Sequence, residues 1–197
     1  PSDTTLRLRN TACPYVSRGG LKLQAALDVF PVQVEGSCCV DLGASTGGFT
    51  DCLLQRNARR VYAIDVGYGQ LAWKLRSDPR VVVMERTNAR HLEDLPEAID
   101  LLVADLSFIS LSKVMPAMIR IAPGAQAILL IKPQFEAGPG QVSRGGVIKD
   151  PEVRLATIDR VTTELRQFGC QIHGTIPSPI AGAKKGNIEE LIGLELP

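Results

Sequence analysis

The sequence predicts an α/β protein: a seven-stranded, mostly parallel sheet with one antiparallel strand and helices on both faces. Three observations predict it. Short apolar runs bounded by turn residues alternate with amphipathic stretches over about 150 residues, the pattern of repeated βαβ units. One run, Cys39-Val40-Asp41-Leu42, opens through Gly43-Ala44-Ser45-Thr46-Gly47-Gly48 onto a helical pattern beginning near Phe49, which reads as strand, tight turn and helix start. Three apolar runs also close on a charged residue, Asp65, Asp105 or Lys132. Those are carboxyl ends of strands, where such sheets bind ligands.

Taken in order, the polar opening over residues 1–14 reads as an arm or linker, and a single domain fills 15–197. Leu23, Ala26, Leu27 and Phe30 recur at helical spacing, with Ser17 placed to cap that helix and Lys22 in its first turns. Alone, Lys22 reads as a solvated surface lysine. After the glycine turn, Phe49 to Gln55 is helical, and Val61 to Val66 is a second buried strand. Gly67 to Arg76 follows as a helix, with Leu71, Leu75 and Trp73 packed on the sheet. Val81 to Met84, Ile99 to Asp105 and Ala125 to Ile131 are further strands, with a helix from Ser112 to Ile121 between the last two. Residues 136–150 form the longest irregular stretch. Val153 to Phe168 is a helix with Asp150 and Pro151 as N-cap and first residue and Gly169 at its end. Strands around Cys170 to Ile176 and Leu191 to Leu196 close the chain; the short link between them demands an antiparallel pair.

Composition bounds the function. With 22 Lys+Arg against 21 Asp+Glu the net charge is +1, so any nucleic-acid contact must come from local clusters. The five cysteines make no C-x-x-C pair, which argues against a disulfide framework or a zinc site and fits a reducing cytoplasm. No apolar run approaches the ~20 residues of a membrane helix, and no signal-peptide core is visible. The chain begins at Pro1 without a methionine, so further residues upstream are expected.

The glycine turn is built for a ligand. Gly43 permits the sharp bend, Gly47 and Gly48 permit close approach of the backbone, and the new helix offers free N–H groups. No glycine stands two residues after Gly43, so a dinucleotide pyrophosphate is poorly served. A nucleoside carrying an amino acid fits better, as in S-adenosylmethionine. Asp65, 24 residues past Asp41, is placed to meet ribose hydroxyls or to act as a helix N-cap, and Asn88 could meet an adenine edge. Asp105 and Lys132 end strands that would be neighbours roughly 4.8 Å apart, and the antiparallel return brings Glu189 to the same rim, which Lys22 can reach. Two lysines and two carboxylates there serve either proton removal from a hydroxyl or two buried ion pairs. His91 and His173 build neither a triad nor a metal site.

Five stretches carry a resemblance. Tyr15-Val16-Ser17-Arg18-Gly19-Gly20-Leu21-Lys22-Leu23, Asp41 to Asp51, Asp105-Leu106-Ser107-Phe108-Ile109-Ser110-Leu111, Lys132-Pro133-Gln134-Phe135-Glu136, and Ser178-Pro179-Ile180 with Gly186-Asn187-Ile188-Glu189 occur in the order found in the hemolysin A (TlyA) proteins. The chain resembles these from Tyr15 onward, and they fall within the FtsJ-like (RrmJ-like) 2′-O-ribose RNA methyltransferases. The resemblance implies a Rossmann-like class I methyltransferase fold and S-adenosylmethionine as cofactor. It implies a catalytic tetrad of Lys22, Asp105, Lys132 and Glu189, with Lys132 as base. Asp41, Gly43, Ser45, Thr46, Gly47, Gly48, Phe49, Asp65, Val66, Asn88, Asp105 and Leu106 would line the cofactor. The implied substrate is cytidine ribose in ribosomal RNA, without membrane insertion. The family pattern also includes an S4-type RNA-binding domain upstream, not contained in these 197 residues, and a more basic loop than residues 138–146.

Rival readings are weaker on the residues themselves. A cytolysin needs an amphipathic or apolar membrane segment, and a nicotinamide oxidoreductase needs another glycine spacing. A non-catalytic RNA-binding protein would not need the charged tetrad. Amino-group methylases tend to place Asn/Asp-Pro-Pro-Tyr where this chain has Asp105-Leu106-Ser107-Phe108, and no cysteine stands there for carbon methylation, so oxygen is the expected acceptor. Arg7, Arg9, Arg18, Arg144, Lys184 and Lys185 flank the expected cleft as candidate phosphate contacts.

Overall fold

A computed structural model describes residues 13–138, 140–182 and 187–197. Seven strands form one sheet: β1 Cys38–Leu42, β2 Arg60–Ile64, β3 Val81–Met84, β4 Leu101–Ala104, β5 Gln126–Ile131, β6 Gln171–Pro177 and β7 Glu190–Glu195. Their order is β3-β2-β1-β4-β5-β7-β6. β1 to β5 are parallel, and β7 is inserted antiparallel to both β5 and β6. The expected sheet is therefore the observed one.

Helices cover both faces because strand side chains alternate. Val40, Leu42, Leu102, Leu129 and Ile131 pack with Met115 and Met118 of α4 (Met115–Ile121) and Val161 and Leu165 of α6 (Pro151–Gln167). Cys39, Val61, Val103, Ile128 and Leu130 pack instead with Leu23 and Ala26 of α1 (Gly19–Leu27) and Cys52 and Leu53 of α2 (Gly48–Gln55). Apart from Asp41 in β1, the buried positions of the central strands are apolar because both faces are covered.

The local departures have physical causes. The helix expected over Gly67 to Arg76 is only the four-residue α3, Trp73–Arg76, because Asp65 Oδ1 accepts from Gly67 N at 2.6 Å and Gly69 takes φ +71°, which holds the stretch as turns. Trp73 is not in the core; it is 78% exposed, while Leu71 and Leu75 are buried. Ser17 caps no helix: its carbonyl accepts from Gly20 N, and Arg18 is the N-cap of α1. Ser112 to Ile121 divides into a 3-10 turn, Leu111–Lys113, and α4, whose second residue is Pro116. The stretch called irregular holds part of a fifth short helix, α5, Pro133–Glu136, directly after Lys132. Asp150 caps α6 as expected, accepting from Glu152 N at 2.9 Å.

Candidate active site

The four charged residues meet at the carboxyl end of the parallel strands. Asp105 follows β4 and Lys132 follows β5, and those strands are paired in register. β7 begins at Glu190, opposite Ile131, so Glu189 enters beside Lys132. Lys22 comes from the second turn of α1, whose start is pressed onto that of α2: a Cβ on Gly48 would lie 2.3 Å from Ser17 Oγ and 2.8 Å from Gly20 N. Only glycine allows that approach.

Lys22 Nζ donates to Glu189 Oε2 at 2.6 Å and stands 4.0 Å from Asp105 Oδ2. Lys132 Nζ lies 2.5 Å from Asp105 Oδ1, and its hydrogen bond goes to Ser107 Oγ at 2.8 Å. The four form one chain, Glu189, Lys22, Asp105, Lys132, with Lys22 and Glu189 buried. Gln134 extends it by donating from Nε2 to Glu189 Oε1 at 3.3 Å. Asp105 Oδ1 has no hydrogen-bond partner despite its ion pair.

Two cavities adjoin this chain and share Gly43, Ser45 and Asp105. One, of about 250 Å³, is the more polar of the two and lies over the start of α2, against Ser17, Arg18, Lys22, Thr46, Gly48 and Phe49. The other, of about 410 Å³, has apolar walls from Ile64, Val66, Leu106, Ile109 and Val114, with Asp65 and Asn88 at its polar edge. At Gly43, with φ +84°, a Cβ would sit 2.6 Å from the Asp105 carbonyl oxygen, so a side chain there would push the two strand ends apart.

Two of the residues expected at the cofactor do not line either cavity. Asp41 is fully buried, and its Oδ2 accepts from Thr50 N at 3.0 Å and Thr50 Oγ1 at 2.7 Å; it fixes the first turn of α2 from beneath. Burial pushes its carboxyl up to about 7, opposed by the Thr50 hydrogen bonds. Gly47 faces Leu71 and Leu75. Asp65 heads no helix; its two oxygens accept from Ser45 N at 2.8 Å and Gly67 N, which ties the glycine turn to the loop after β2. Arg18 lines the polar cavity, and Arg144 is exposed on the loop between α5 and α6. Arg7, Arg9, Lys184 and Lys185 lie outside the described residues.

Sequence reasoning missed Ser107, Gln134 and Glu136 as parts of the site. Glu136 is buried and its Oε1 accepts from Leu111 N at 2.8 Å, fastening the loop after Asp105 to the helix after Lys132. All three stand inside the stretches that carried the family resemblance, which was the available signal.

The family model for FtsJ-like methyltransferases matches residues 15–196. The chain belongs to the FtsJ-like methyltransferases. It is 50% identical over 200 residues to the 16S/23S rRNA (cytidine-2′-O)-methyltransferase TlyA of Mycobacterium tuberculosis, covering 98% of this chain and 74% of that protein. It is also similar to the crystal structure of a candidate hemolysin from Lactococcus lactis, with 48% identity, TM-score 0.87, and coverage of 92% of this chain and 88% of that one. Aeropyrum pernix fibrillarin, solved with natively bound S-adenosyl-L-methionine, shares the fold at 18% identity and TM-score 0.57, over 88% of this chain and 72% of that one.

An FtsJ-like methyltransferase takes its methyl from S-adenosylmethionine, and the residues present fit that group. A Cβ at Gly43 would meet the Asp105 carbonyl and one at Gly48 the start of α1, so these two glycines let strand ends and helix starts close up around the two cavities. Ser17, Ser45, Thr46 and the first amides of α2 would hold the amino-acid end. Asp65 and Asn88 would face the nucleoside at the edge of the apolar slot.

Proposed function

We propose that this chain transfers a methyl group to the 2′-hydroxyl of a cytidine ribose in ribosomal RNA. The single observation that carries the reading is the Glu189, Lys22, Asp105, Lys132 chain, which meets both cavities through Asp105. Bound S-adenosylmethionine supplies a sulfonium methyl open to attack by oxygen. Lys132 takes the proton of the ribose hydroxyl, and the ammonium so formed is met by Asp105 Oδ1 at 2.5 Å and by Ser107 Oγ. Glu189 and Lys22 hold Asp105 from the other side, and Gln134 holds Glu189. Alignment and charge are the protein's contribution.

Ribosomal RNA and cytidine come from the relative's name and are supported by 50% identity over 98% of this chain. Phe108 supports a nucleotide acceptor too. It is 88% exposed in the left-handed region at φ +64°, and its ring centroid is 4.8 Å from that of Phe135, one turn past Lys132. An exposed ring held in a strained backbone beside the base offers a face to a nucleobase. Free thiols at Cys38, Cys39, Cys52 and Cys170 accord with a reducing cytoplasm, where ribosomes are modified. Among the described residues no helix is long and apolar enough to cross a membrane.

The test is Lys132→Ala. Transfer of labelled methyl to ribosomal subunits is expected to fall at least a thousand-fold, while calorimetry finds the affinity for S-adenosylhomocysteine within about three-fold of wild type. Retained transfer, or equal loss of both, would remove Lys132 from the chemistry.

A further inference from the structure

Beside the apolar cavity lies a surface the mechanism does not use. Val66, Tyr68 and Trp73 are 69%, 68% and 78% exposed, three large apolar side chains within eight residues of sequence. Backbone and side-chain bonds knit that stretch to the loop after β3: Arg86 N donates to Gly67 O at 3.0 Å, and Gly69 N donates to Glu85 Oε1 at 2.8 Å. The Arg86 guanidinium lies over the Tyr68 ring, 4.2 Å from its centroid, and Arg86 itself takes φ +55°. Arg76 pairs with Glu85, and Trp73, three residues before Arg76 on α3, shares its face. Tyr68 and Trp73 thus stand on the stretch whose Gly69 and Arg76 both contact Glu85, with the Arg86 guanidinium over the phenol.

Charge decides what such a surface fits. Glu85 is taken by Arg76 and Asp78 by Arg80, whereas Arg86 and Arg90 make no ion pair among the described residues. What remains is two exposed aromatic side chains on one stretch, with the Arg86 guanidinium over one of them, the combination of ring and unmatched cation that holds unpaired nucleotides by stacking and phosphate attraction. The surface is continuous with the site, since Val66 and Asn88 line the apolar cavity whose opposite wall carries Phe108.

We propose that Tyr68, Trp73 and Arg86 form a stacking subsite for a single-stranded RNA segment flanking the nucleotide that is methylated. The proposal rests on the RNA-methyltransferase reading and extends it to a second contact with the substrate. A strand seated there would cross the mouth of the cofactor cavity and help to hold the target ribose against Lys132. Stacking of this kind tolerates any base, so the subsite contributes affinity and leaves the choice of nucleotide to the active site.

Trp73 is the single tryptophan of these 197 residues, so their emission reports on the subsite directly. The 197-residue chain is titrated with a labelled single-stranded oligocytidylate, with anisotropy following binding, and inorganic polyphosphate of matched charge serves as control. RNA is expected to quench Trp73 as it binds, and polyphosphate is expected not to. Tyr68→Ala is expected to weaken RNA binding about ten-fold and to raise KM for ribosomal subunits with kcat and S-adenosylhomocysteine affinity near wild type. Bound RNA that leaves Trp73 unquenched, or equal quenching by polyphosphate, would overturn the subsite. So would sedimentation in which Trp73→Ala separates two associated copies while RNA binding stays intact, which would make the patch a self-contact. A wild-type protein that transfers no methyl at all would defeat the enzymatic reading and leave the quenching result to be judged alone.

Discussion

Asp41 lies buried beneath the glycine turn and lines neither cavity. Its carboxylate anchors Thr50 from inside the core, and its second oxygen has no partner. Because its folded value of about 7 lies above the ordinary 3.8, the native state holds this proton more tightly than the unfolded chain. The associated stabilisation is present below about pH 4 and is lost as the pH rises through 7. Asp41→Asn removes that dependence, so between pH 4 and 8 its stability relative to wild type should rise by on the order of 4 kcal/mol, measured by denaturant unfolding. A pH-independent difference would show that Asp41 is ionised throughout. Gly43 is constrained differently, by φ +84° and by the 2.6 Å that a Cβ would leave to the Asp105 carbonyl. Gly43→Ala should reduce S-adenosylhomocysteine affinity more than ten-fold and lower the melting temperature by several degrees. At this scale the sequence singled out, through family motifs, the four charged residues that the structure brings together. It expected Asp41 and Gly47 at the cofactor as well, and both line neither cavity, because residue type does not reveal whether a position faces a cavity or the core.

Among the elements, the loop from Asp105 to Leu111 depends most on its neighbours. It carries Ser107 and Phe108, lines the apolar cavity, and is fastened at its far end by Glu136 of α5. Arg160 of α6 in turn donates to the Glu136 carbonyl at 2.6 Å. Removing the carboxylate leaves the buried Leu111 N–H unpaired, at a cost of about 1–3 kcal/mol. Glu136→Ala should therefore lower the melting temperature and weaken both cofactor affinity and turnover, together by roughly ten-fold, whereas Glu136→Gln, whose amide oxygen still accepts, should keep most of both. A variant that melts normally and methylates normally would free the loop from this restraint. The sequence hid α5 because four residues beginning with proline carry no periodicity, and it overextended α3 because Leu71 and Leu75 sit at helical spacing while Gly67 and Gly69 hold turns.

For the whole molecule, the decisive feature is the insertion of β7 between β5 and β6. That antiparallel strand starts where β5 ends, so it delivers Glu189 to the Lys132 end of β5, where it meets Lys22. The antiparallel pairing was legible because the link before β7 is too short for a helical crossover, whereas the insertion between β5 and β6 was not. The outward face of α3 was not legible, since a tryptophan at helical spacing normally marks a core. With all described cysteines free, reducing agents should leave the melting temperature unchanged. One measurement bears most directly on the assembled site: ribosomal RNA is methylated with labelled S-adenosylmethionine, digested with alkali, and the label located. Ribose 2′-O-methylation requires the label in alkali-resistant dinucleotides beginning with cytidine, absent with Lys132→Ala. Label recovered on a base, or unaffected by the loss of Lys132, would contradict it.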